Sequence, residues 1–291
     1  MPARLTDRQT GVILALSGVL LISLDSLWIR LSEAGSWDVA FWVGLFTFLV
    51  ISIVLPVRTG DSIVTVIRRD RVPLVASSLL NTCSVTMFIV AVGLTTVANT
   101  VAIIAAAPIA AAVVARLIIG ERPATRTWWA IAGSVAGILV IVAGSIGAGS
   151  VAGDGAAVIA VLAFAGNVTL WRKFPGISRL AVIGLGGLFI ALVTYVPANP
   201  FELDGRALAI LAIMGLLTGP AGRVALASST RHLPAAQVGL FTPVETVAAT
   251  AWAWLFLGES PPTLTVLGGI IVIVSVLYGS YRRPDVPTNV Q

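Results

Sequence analysis

Ten apolar stretches, each about as long as a bilayer is thick, occupy nearly all of the 291 residues. A hydrocarbon core of about 30 Å takes about 20 helical residues to cross. The stretches run at 11–31, 37–57, 72–94, 97–119, 127–146, 155–171, 178–198, 207–230, 235–257 and 263–281. They are continuously apolar, whereas barrel strands alternate apolar and polar residues. A helix satisfies its own backbone groups inside the membrane, so the sequence predicts an all-α polytopic membrane protein with ten transmembrane helices. Charged residues make up 11% of the chain, against about 25% in water-soluble domains. Arg4 and Arg8 precede the first stretch, as in a signal peptide. That stretch is too long, lacks a small-residue cleavage site and leads into nine more, so it reads as the first span.

The net charge of +5 is not a nucleic-acid signature, because the cations alternate between loops. One set of loops holds Arg4, Arg8, Arg58, Arg68, Arg69, Arg71, Arg116, Arg122, Arg126, Arg172, Lys173, Arg179, Arg231, Arg282 and Arg283. The opposite set holds only Arg30 and Arg206, and Arg223 falls within span eight. The excess of cations marks the cytoplasmic side. Both termini are therefore expected in the cytoplasm, with the protein in the cell inner membrane.

The two halves of the chain resemble each other. Ala115–Pro123 reads ARLIIGERP and Ala253–Pro261 reads AWLFLGESP. Their Gly-Glu pairs, Gly120-Glu121 and Gly258-Glu259, close spans four and nine. At the same offset Asn99 faces Gln237, Asn81 faces Gly219 and Pro108 faces Thr246. In the following spans Gly133, Gly144 and Ser145 match Gly268, Gly279 and Ser280. The Gly/Ser-rich segment Gly144–Gly155 reads as the linker between halves. The expected repeats are residues 1–148 and 149–291. Each holds five helices, and duplicating an odd unit inverts the second copy. Inverted repeats of this kind build secondary transporters, whose halves rock about a central site.

Ten spans, a five-plus-five repeat and a Gly-Glu closing spans four and nine resemble the EamA-type drug/metabolite transporter superfamily. The resemblance covers essentially the whole chain. That family commonly has a proline twelve residues before the Gly-Glu. Pro108 fits, whereas the second half has Thr246 there, preceded by Glu245. Glu245–Glu259, ETVAATAWAWLFLGE, is similar to YddG-type exporters of aromatic and other neutral amino acids. The resemblance implies amino acid export by alternating access. The alternative is transport of another small metabolite or a drug.

Six polar residues are out of place on lipid-facing helices: Asp25, Asn81, Asn167, Arg223, Gln237 and Glu245. An ionised group at helix centre costs about 2.5–3.5 kcal/mol on insertion scales, so such groups face a cavity or a partner. Arg223 and Glu245 each lie 11 residues from Pro234, which puts them at similar depth in adjoining spans. An Arg223–Glu245 ion pair is expected there. Two readings stand, a structural pair and a pair of anchors for a zwitterion. Asp25 reads as a solvated residue near the outer interface, with a cavity acid as the alternative. Asp25 and Glu245 are the candidate proton-coupling groups. Asn81, Asn167 and Gln237 either tie helices together or line a polar cavity.

Pro108, Pro220 and Pro243, with Gly219 and Gly222, are expected inside spans four, eight and nine as hinges. Trp28, Trp37, Trp128, Trp129 and Trp171 lie near span ends, where aromatic belts form. Trp42, Phe88 and Phe241 are deeper and are candidates to stack on a substrate. Gly133, Gly137, Gly184, Gly186, Gly187, Gly268 and Gly269 permit close helix packing. The cavity is expected between spans 1, 3, 4, 6, 8 and 9, with Arg223, Glu245, Asn81, Asn167, Trp42, Phe88 and Phe241 binding the substrate.

Other classes lack their residues. There is no HExxH or P-loop, and the lone His232 lies in a loop, so neither an intramembrane protease nor an ATPase is expected. Cys83 is the lone cysteine, so no disulfide forms within the chain. No metal site and no cofactor is implied. The expected partners are a small-molecule substrate and the lipid bilayer, with no nucleic acid, for a monomer or homodimer.

Overall fold

The structure is a computed structural model that describes residues 6–94, 100, 103–104, 106–142, 150–258 and 263–280. Asn99, Ser145 and Glu259, with residues 144–149 of the expected linker, lie outside the described residues. Every element among the described residues is helical. The helices are α1 (Asp7–Ser23), α2 (Asp25–Ser32), α3 (Ser36–Thr59), α4 (Ile63–Leu94), α5 (Ala107–Ile119), α6 (Thr125–Val142) and α7 (Val151–Lys173). Then follow α8 (Arg179–Thr194), α9 (Gly205–Ile213), a π-helical turn (Met214–Thr218), α10 (Gly219–Ser229), α11 (Ala235–Gly239), α12 (Thr242–Leu257) and α13 (Thr263–Ser280).

Side-chain caps set several starts. Thr6 and Gln9 form a reciprocal capping box on α1. Ser150, Ser178 and Asp204 accept from the backbone N–H three residues on, at α7, α8 and α9. Gly120 and Gly258 both take φ near +71°, the left-handed conformation that ends a helix without a Cβ clash. The recurring Gly-Glu pair thus begins with the same backbone turn in both halves.

The helices pair across the two halves: α3 on α8, α6 on α13, α4 on α7 and α1 on α10. Three of these crossings rest on facing glycines. A Cβ on Gly18 would lie 2.8 Å from the Gly222 carbonyl, one on Gly187 2.7 Å from that of Gly44, and one on Gly137 2.8 Å from that of Gly268. Lipid tails are as apolar as leucine, so close packing, not the hydrophobic effect, holds such helices together. Gly187→Ala is therefore expected to destabilise the bundle by about 1–3 kcal/mol. Its new methyl meets rigid backbone at Gly44 and Phe48. Thermal unfolding in detergent would show this against Gly155→Ala, whose methyl meets nothing within 4 Å.

Among the described residues, five apolar helical stretches are long enough to cross a bilayer: Asp7–Ser32, Ser36–Thr59, Ile63–Ala91, Val151–Lys173 and Gly205–Ser229. Shorter apolar helices run at Ala107–Ile119, Thr125–Ile141, Arg179–Thr194 and Thr263–Gly279. The expected spans are not all single helices. The first breaks at Leu24, the eighth contains the π turn, and the ninth breaks at Leu240–Phe241. The third begins nine residues early, at Ile63, and bends at Asp70.

Pro108 and Pro243 stand in the first turn of α5 and α12, where the missing N–H has no intrahelical partner to lose. Pro220 follows the π turn without a gap, inside the apolar helical stretch Gly205–Ser229.

Candidate functional site

Three helix interruptions place three charged residues together. Pro220 donates no hydrogen bond, and its ring crowds the carbonyl four residues back. The π turn just before it absorbs the mismatch, with the Gly219 N–H donating to the Met214 carbonyl. Such turns recur at functional sites. Arg223 follows one turn later and folds back along α10 so that Nη1 lies against Gly219, leaving no room for a Cβ there. Its Nη2 donates to Oδ2 of Asp25 at 2.9 Å. Asp25 opens α2 immediately after the break at Leu24. Glu245 stands in the first turn of α12, after the break at Leu240–Phe241, and lies within electrostatic reach of both.

The pair is largely enclosed, with Asp25 and Arg223 side chains 13% and 19% exposed. Asp25 Oδ1 is buried without a hydrogen-bond partner. Glu245 makes no hydrogen bond or ion pair among the described residues. Next to the pair, Trp252 Nε1 donates to Ser23 Oγ at 2.8 Å and ties α12 to the end of α1. One cation and two carboxylates, Glu245 without a hydrogen-bond partner among the described residues and Asp25 with one oxygen unused, therefore lie within electrostatic reach of one another inside an apolar bundle. That set can take a ligand carrying both an anionic and a cationic group.

This corrects two expectations. Arg223 pairs with Asp25, not Glu245, and Asp25 is enclosed rather than solvated. Counting 11 residues either way from Pro234 assumes two regular helices. The break at Leu240–Phe241 falls between Pro234 and Glu245 and shifts Glu245 away from that register.

The other sequence candidates are engaged in packing. Ser77 Oγ donates to Asn167 Oδ1 at 2.6 Å, which ties α4 to α7. Asn81 is buried against α8, so that a Cβ on Gly186 would lie 2.8 Å from its Nδ2. Trp42 Nε1 donates to the Pro200 carbonyl at 2.7 Å, and the ring packs on Phe41, Phe46 and Phe201. Phe241 is fully buried at the break in span nine, and Phe88 is partly exposed on α4. Gly222, expected as a hinge, is the contact point between α10 and α1. Two clefts of about 220 and 240 Å³ lie elsewhere, one beside Glu33 and Arg206 and one beside Trp37 and Leu94.

Sequence reading missed the far end of the bundle. Arg179, counted there only as a loop cation, is 3% exposed. It donates to the carbonyls of Trp171, Phe174, Ile177 and Ala227 and to Thr230 Oγ1. Its signal was the Pro-Gly turn just before it, whose carbonyls need donors. Glu121 served only as a repeat marker, yet it joins Arg172 at 3.1 Å. His232 Nδ1 lies 2.5 Å from Asp7 Oδ1 at the same end.

The chain matches the sequence model of a family described as the EamA-like transporter family, twice, over residues 9–143 and 151–280. Among solved structures, one titled "Crystal structure of protein" is similar in fold, with a TM-score of 0.82 at 13% identity. The match covers 94% of this chain and 97% of that one. No curated protein matches the sequence.

Proposed function

The chain belongs to the EamA-like transporter family of multi-pass membrane proteins, and from that premise we propose that it exports amino acids across the inner membrane by alternating access. Members of the family are transporters rather than enzymes. The proposed frame is ten spans in two inverted repeats, residues 1–148 and 149–291. The end rich in Arg122, Arg126, Arg172, Lys173 and Arg231 is cytoplasmic in this reading.

The observation that carries the proposal is the meeting of Asp25, Arg223 and Glu245 at three interrupted helices. Interrupted helices build midplane sites in transporters because their freed backbone groups line a cavity. A zwitterion matches the charges. Its carboxylate takes Arg223 in exchange for Asp25, and its ammonium takes Glu245. The surroundings are apolar, which favours aromatic and other neutral side chains. Pro108, Gly219, Pro220 and Pro243 stand where helices begin or break, and bending at those points opens and closes the site.

Uptake of labelled phenylalanine and threonine into proteoliposomes tests this. Saturable uptake that unlabelled amino acid competes away is the expected result. An imposed proton gradient shows whether transport is coupled to protons, with Asp25 and Glu245 as the proposed carriers. Failure to take up either amino acid overturns the assignment in favour of another metabolite or a drug.

A further inference from the structure

The cytoplasmic end of the bundle holds a cross-link whose reach goes beyond a surface ion pair. Glu121 follows the left-handed Gly120, and its N–H donates back to the Ala115 carbonyl. This turn aims the carboxylate across to the other half. Oε1 accepts from Arg172 Nη2 at 3.1 Å, and Oε2 accepts from the Ala235 N–H at 3.0 Å. Arg172 Nη1 in turn donates to the Thr230 carbonyl at 3.1 Å. Glu121 is 16% exposed and Arg172 30%.

The turn between Thr230 and Ala235 is thus held from both sides. Thr230 ends α10, seven residues after Arg223, and Ala235 opens α11, ten residues before Glu245. Two of the three charged site residues therefore hang from the ends of one short turn. Beside it, Gly239 approaches the Pro108 backbone so closely that a Cβ would lie 2.9 Å from it. A carboxylate from the first repeat fixes the turn that carries the site of the second.

We propose that Glu121 and Arg172 form the cytoplasmic latch of the transport cycle, closed here, which must release Thr230 and Ala235 for the site to open to the cytoplasm. The proposal rests on the transport reading. It assigns Glu121 and Arg172 a positioning role, acting on Arg223 and Glu245 through the turn.

The test uses the full chain in proteoliposomes, in a Cys83→Ala background, and needs no substrate. Ser229→Cys places a thiol at a fully buried position beside the turn. Ser32→Cys places a control thiol at a buried position at the opposite end. Both are probed with a membrane-impermeant thiol reagent from each side. Glu121→Gln keeps an oxygen to cap Ala235 but removes the charge that holds Arg172. The expected result is labelling of Ser229→Cys from the cytoplasmic side about tenfold faster in E121Q, the size of shift that losing one charge-assisted hydrogen bond gives. R172Q is expected to behave alike, with the Ser32→Cys rate unchanged in both. Unchanged Ser229→Cys labelling overturns the latch. Faster labelling at both positions shows general loosening and overturns it too. Failure to transport amino acids, with side-specific labelling intact, overturns the substrate assignment and leaves the latch standing.

Discussion

Arg223→Leu is expected to lower stability by about 3–5 kcal/mol, because it leaves Asp25 as an enclosed charge without its partner. Asp25→Leu is expected to cost a similar amount by stranding Arg223. The double variant, with both charges removed, is expected to recover most of that loss. Replacing a buried pair with apolar residues is often neutral or stabilising, because desolvation cancels much of the attraction. Thermal unfolding in detergent gives the three values, and the cycle they form gives the coupling. Transport should not recover with stability, since the proposed carboxylate site is gone. A double variant that is stable and still transports would make the pair structural and remove Arg223 from the site. Near-additive losses would show that the pair at 2.9 Å contributes little.

Much of the frame was legible because membrane helices announce themselves by length and apolarity. The Gly-Glu repeat was legible too, since a left-handed helix end demands glycine, and Gly120 and Gly258 share one φ. The interruptions were harder. The breaks at Leu24 and at Leu240–Phe241 fall on apolar residues inside apolar runs. Nothing in composition distinguishes a broken span from a continuous one. Pro220 and Pro243 marked the neighbourhood, yet proline in an apolar run predicts a kink as readily as a new start. Partner choice was illegible for the same reason. Asp25 lies 198 residues from Arg223, and its approach depends on the break at Leu24 and the π turn before α10. Asn167 and Trp42 show the opposite error. Polar and aromatic groups at membrane depth suggested a cavity, whereas Ser77 and the Pro200 carbonyl satisfy them within helix packing.

Glu245→Gln is expected to leave the fold intact and impair transport. Among the described residues no hydrogen bond or ion pair is lost with its charge. Removing a charge that has no direct partner from an apolar bundle is neutral or favourable to stability. The proposed contact to the substrate ammonium is a charge-assisted hydrogen bond, worth about 1.5–3 kcal/mol. Losing it lowers uptake efficiency about ten- to hundredfold. A structural defect would lower uptake as well, so the decisive reading is a ratio. Uptake of phenylalanine is compared with competition by 3-phenylpropionate, which keeps the carboxylate and ring but has no ammonium. The native protein should prefer phenylalanine strongly, because the deaminated analogue leaves Glu245 as an unpaired charge. In the Glu245→Gln variant that preference should collapse by about the same ten- to hundredfold factor. Arg223→Lys, which retains a cation for the carboxylate, should weaken both compounds together and leave the ratio unchanged. Undiminished preference in Glu245→Gln would remove the ammonium contact from Glu245, since no other role for that carboxylate predicts a discrimination tied to one amino group.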